Sequence, residues 1–135
     1  MEARIVMICF IVLMAIVCLI MNIMCKRREL ILLRERAEYT KERFVADLAE
    51  RGVPSAISQA AYDYFRDASS TKALPIHPDD DLYRIFGTVG EDIDDTVLEI
   101  AKLAGCREIT QADFDAQKTP VRSVSDVTLF LSHLA

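Results

Sequence analysis

The sequence predicts an all-α protein in which a single N-terminal transmembrane helix continues into a juxtamembrane helix, followed by a small helical domain. Three observations carry this. Residues 5–25 form one unbroken apolar run. Beyond it, apolar residues recur at three- and four-residue steps, the period of a helix that buries one face. Gly, Pro and Ser collect at the breaks between these runs, where helices are capped or stopped. The divisions expected are an anchor with its basic flank over 1–28, a helical stem over 29–54 and an acidic helical domain over 55–135.

The 21 residues of the apolar run contain no charge, proline or glycine, and Asn22 is the one clearly polar member. At about 1.5 Å per residue they reach roughly 32 Å, enough to cross a hydrocarbon core of about 30 Å. Twelve are Leu, Ile, Val or Phe, each favouring insertion by roughly 0.3–0.6 kcal/mol, which outweighs the small cost of Asn22. Lys26, Arg27 and Arg28 follow at once, with Arg34 and Arg36 close behind, whereas Arg4 alone precedes the run and Glu2 offsets it. By the positive-inside rule the N-terminus lies outside and the rest of the chain in the cytoplasm. A cleavable signal peptide fits poorly, because the run is too long, its basic side is the wrong one and no small-x-small site precedes Lys26.

From Ala37 onward ten basic residues face eighteen acidic ones, a balance of −8, while residues 1–36 carry +3. Nucleic acid needs a basic footprint and is excluded as a partner; a basic protein surface fits instead. Three of the four cysteines lie in the apolar run and Cys106 is alone beyond it. That leaves no disulfide framework, in keeping with a reducing compartment.

Residues 29–51 are good helix formers without Pro or Gly, with Leu30, Leu33, Ala37, Phe44 and Leu48 at helical steps, so one helix is expected to run out of the membrane to Gly52-Val53-Pro54. The same stripe could serve as a homodimer seam over residues 29–51. Ser55 is placed as the cap of a helix reaching Ala68, with Ile57, Ala61, Tyr64, Phe65 and Ala68 on its core face. Residues 69–78, rich in Ser, Thr and Pro, are read as a surface loop. His77 and His133 lack ligand spacing, and no metal is expected. Asp79, Asp80 and Asp81 charge the start of a short helix over 82–86 that Gly87 closes. Asp92 is read as the cap of a helix over 93–104 whose buried stripe is Ile93, Val97, Ile100, Ala101 and Ala104. Thr110 with Asp113, and Ser123 with Asp126, form capping boxes for two more helices, the last lined by Val124, Val127, Leu131 and Leu134.

Residues 79–99 hold eight acidic side chains against Arg84 alone. A calcium loop does not explain them: counted from Asp79, Arg84 falls where glycine is required and Gly90 where the bidentate glutamate belongs. Two readings of the strip are open. One is a solvated face with dipole-favoured caps; the other is a docking strip made of Asp81, Glu91, Asp92, Asp94, Asp95 and Glu99.

The order of these elements resembles an acyl carrier protein over roughly residues 56–134. Asp92-Ile93-Asp94-Asp95-Thr96-Val97 is similar to the Asp-Ser-Leu-Asp-Thr-Val box that opens the carriers' second helix. Pro120-Val121-Arg122-Ser123-Val124-Ser125-Asp126-Val127 resembles the approach to their last helix. The resemblance implies a small acidic four-helix bundle that meets basic partners through that helix. In carriers the serine of the box receives a phosphopantetheine arm. Here Ile93 stands at that position and has no hydroxyl, so no arm and no cofactor is expected. The chain is also similar to serine-less carrier-like domains found in bacteria.

Catalysis finds no support: there is no phosphate-binding Gly-rich loop, nucleophile elbow, His-Glu-x-x-His or metal-spaced Cys pair. No catalytic residue is assigned. The expectation is a membrane-anchored, non-catalytic interaction module whose acidic helix faces a basic cytoplasmic partner. The alternative is a single-pass adaptor that self-associates through its stem.

Overall fold

A computed structural model describes residues 1–135 as seven helices with no strand; Asp81 and Ser123 form one isolated antiparallel bridge. The helices fall into two units, Met1–Ala37 and Glu38–Ala135.

The first unit is α1, Glu2–Glu35, a 34-residue helix with no buried residue. It is long and apolar enough to cross a membrane. It stops well short of residue 51, and here the structure corrects the expected continuous stem. Arg36 N–H closes the last turn onto Leu32 O, and a second helix, α2, Lys41–Glu50, starts afresh. Helix propensity is high across the junction, but propensity is a weak prior. Thr40 adopts an extended backbone and its hydroxyl accepts from Arg43 N–H at 3.3 Å, capping α2. Tyr39 is held by a 2.6 Å hydrogen bond from its hydroxyl to Asp47, and Lys41 by Asp63 of the next helix at 2.8 Å. Local capping and packing thus set the direction of α2.

The second unit contains α2, α3 (Ser55–Ala68), α4 (Leu82–Phe86), α5 (Glu91–Ala104), α6 (Gln111–Asp115) and α7 (Val124–Leu134). Helix α3 packs against α2, α5 and α7, and α5 also meets α7. Phe44 and Leu48 of α2 are fully buried, as are Ala61 of α3, Ile100 of α5 and Val124, Val127 and Leu131 of α7. Two members of the expected dimer seam are therefore spent inside this unit, which also begins at Glu38 and not at residue 55. Gly52, at φ +85°, turns the chain between α2 and α3, with Val53 N–H returning to Leu48 O. Pro54, and not Ser55, is the cap of α3, and Tyr62 is buried on its face where Ala68 is exposed.

The loop over 69–78 is likewise not a simple surface connection. Leu74 and Ile76 are buried, the latter completely, so its Ser, Thr and Pro shape the backbone while two aliphatics pin it to the core. Residues beyond it are stitched to the start of α7: Val124 N–H donates to Asp80 O, Ser125 N–H to Pro78 O, and Leu82 N–H to Arg122 O. Both capping boxes expected at Thr110/Asp113 and Ser123/Asp126 are formed.

Truncating a buried aromatic in so small a unit leaves a cavity that its neighbours fill poorly. Phe44→Ala should destabilise the second unit by about 3–5 kcal/mol, read as a fall in the urea midpoint of the full chain in detergent. Ile31→Ala, in α1, should leave that midpoint in place.

Candidate functional site

The acidic residues of 79–99 separate into two groups, one held by side-chain or backbone partners and one without them. Asp79 is paired with Arg51 at 2.9 Å, and Arg51 also donates to Ser125 Oγ. The hydrogen bond from Arg51 holds the Asp79 carboxyl below the usual range, and the same bond raises the guanidinium. Asp80 is buried and accepts from His77 N–H at 2.9 Å. Asp81 caps α4, accepting from Arg84 N–H at 2.8 Å, so it belongs to a helix start and not to an open strip.

Glu91, Asp92, Asp94, Asp95 and Glu99 form the second group. All five are exposed on α5, and none has an ion-pair or side-chain hydrogen-bond partner in the chain. At 100° per residue they occupy a continuous arc opposite the buried stripe of Thr96, Val97, Ile100 and Ala101. Leu98, 40% exposed, lies among them, and Lys102 follows one turn later. The helix begins two residues earlier than the sequence suggested. Gly90, at φ +51°, is its cap and no side chain takes that role, so Asp92 sits within the first turn and does not cap. A residue with a Cβ is strained at that backbone angle.

The helix dipole favours Glu91, Asp92 and Asp94 in the first turn. It fades beyond one turn and does not explain Asp95 or Glu99. The pairs Glu91/Asp95 and Asp95/Glu99, each four residues apart, oppose helix stability by roughly 0.2–0.5 kcal/mol per pair. Folding alone gives no reason for these two charges.

Ile93 is half-buried and packs on the core. It lines a shallow groove of about 300 Å³ with Tyr83, Val89 and Val121. Nothing at that position can accept a covalent arm. Elsewhere, no set of three or more His, Cys, Asp or Glu side chains is arranged to hold a metal ion. Cys106 and His133 line separate grooves.

Two features escaped the sequence reading. One is the cluster at the start of the second unit, where the Tyr39 ring lies 4.8 Å from that of His77. Burial, and then the bond to Asp47, raise the Tyr39 hydroxyl's pKa well above its ordinary value. An aromatic directly before a Thr cap was the available signal. The other is a groove of about 510 Å³ between α6 and α7, bordered by Ala116, Pro120, Leu129 and Phe130; residues so far apart in the chain gave no warning.

No family model, no curated protein and no solved structure matches the chain.

The hydrogen bonds from Arg107 and then the Thr110 backbone hold Asp113 far below the ordinary carboxyl range, as Arg51 lowers Asp79. In both cases the unfolded chain takes up protons first as pH falls. Their contribution to stability is thus fully present above about pH 5 and is lost as pH drops through the folded-state values. The Tm of the second unit should decline below that pH, and Asp113→Asn should flatten the decline.

Proposed function

We propose that the protein is a membrane-tethered, non-catalytic interaction module that offers the exposed face of α5 to a basic protein surface. The observation that carries this is the set of five carboxylates on α5 without internal partners, two of which the helix itself disfavours. Charges that the fold does not use, here Asp95 and Glu99, are free to act on something else, and complementary charge raises encounter rate and selects partners. The tether is α1, lying in a bilayer through residues 5–25. The basic flank at 26–28 places the N-terminus outside and the second unit in the cytoplasm.

The carrier-like reading belongs to the same proposal. It rests on the resemblance of residues 92–97 and 120–127 to carrier segments; the unit itself has five helices from α3 to α7, with α2 packed on α3. The acidic helix is the part of a carrier that partners touch. With Ile93 in place of the modifiable serine, the module works by contact and not by carrying a group. Self-association through a stem over 29–51 is not retained, because Phe44 and Leu48 are buried in the core beside α3.

Capture of partners by the full chain in detergent should weaken steeply with added salt and by about ten-fold or more for the Asp94→Lys/Asp95→Lys variant. Capture unchanged by both would defeat the proposal. Treatment with a phosphopantetheinyl transferase should leave the intact mass unaltered.

A further inference from the structure

Helix α1 is unbroken from Glu2 to Glu35, so each residue of the apolar run can be assigned to a face at about 100° per step. Ala15, Cys18, Asn22 and Cys25 follow one another at steps of three, four and three. They share one stripe, which Ile11 and Ile8 extend toward the N-terminus at the same spacing. Val6, Leu13, Ile16, Ile20 and Met24 lie on the opposite side. Cys9 is there too, half a turn around the helix from Cys18.

Asn22 gives this stripe a demand that small residues alone would not. Its side-chain amide has no hydrogen-bond partner in the chain, and the backbone carbonyls around it are taken by the helix ladder. An amide carries two donors and one acceptor, and hydrocarbon satisfies neither. It lies four residues, about 6 Å, inside Lys26. A second copy of α1, inserted the same way, brings a donor and an acceptor to the same depth. The two amides are then self-complementary about a two-fold axis. Ala15, Cys18 and Cys25 keep the stripe low, so two backbones can approach closely, as helices in membranes do when polar side chains link them.

We infer that the chain pairs with a second copy of itself along Ala15, Cys18, Asn22 and Cys25, the two Asn22 amides hydrogen-bonding each other. This rests on the reading that α1 lies in a bilayer and is independent of the α5 carboxylates.

The native cysteines supply the test. Full-length chains retaining only Cys9, only Cys18 or only Cys25, the other cysteines replaced by alanine, are oxidised in their membranes with copper phenanthroline and run without reductant. The Cys18 and Cys25 chains should cross-link to dimers and the Cys9 chain should not. Adding Asn22→Val should lower the dimer yield about three- to ten-fold, and Asn22→Gln should retain most of it. Cross-linking through Cys9 as strong as through Cys18, or a yield unmoved by Asn22→Val, overturns the pairing. An alkaline wash of the membranes separates the two readings. Chain released by the wash defeats the bilayer reading and the pairing with it; chain retained but never cross-linked defeats the pairing alone.

Discussion

Uncovered apolar surface is the constraint on which the rest of the molecule depends. Large apolar side chains along the run in α1 keep between 42% and 68% of their surface exposed. Removing each from water is worth roughly 1.5–3 kcal/mol, and the sum exceeds the 5–15 kcal/mol by which a typical domain is stable at all. Such a helix needs a surrounding other than water. The bilayer we propose for it also explains why Lys and Arg gather at one end, where they meet headgroups and the charged leaflet.

The second unit builds its core from its own residues, with α3 at the centre of the helix contacts. A domain of this size buries only part of its chain's surface and has little stability in reserve. Its polar groups are accordingly employed: Lys41 with Asp63, Arg51 with Asp79 and Ser125, Arg107 with Asp113. Against that background, the unpaired carboxylates of α5 stand out. Glu38, Glu50 and Glu108 are exposed and unpaired as well, but they are scattered, whereas α5 gathers five such carboxylates on one arc, with Leu98 between them. That clustering, more than the net charge, is the ground on which we propose an external basic surface.

Much of this was legible in the sequence because capping chemistry is local. Ser123 with Asp126, Thr110 with Asp113 and the Gly87 stop are decided within a few residues, and they were read correctly. The periodic stripes of α3, α5 and α7 were legible for the same reason, since burial follows the helical period. What escaped depends on contacts distant in the chain. The break between α1 and α2 follows from Thr40 capping one helix while Tyr39, Lys41 and Phe44 bind residues further on. The depth of Leu74 and Ile76 is set by the helices beneath them, although the composition of their loop marked only its irregular backbone. Of the six residues read as one acidic strip, Asp81 caps α4, a role the sequence also offered it as one of three aspartates before residues 82–86. The Gly90 start of α5 depends on a backbone angle that the Asp92 signature concealed.

The most direct test of a helical, acidic unit held on the inner side of a membrane by α1 is protease accessibility compared between intact cells and inverted membrane vesicles. The expected result is a C-terminal unit untouched from outside the cells and, in inverted vesicles, released as a soluble folded fragment cut near residues 36–40. Digestion of that unit from the outside, or a soluble chain already lacking residues 1–25, would contradict it.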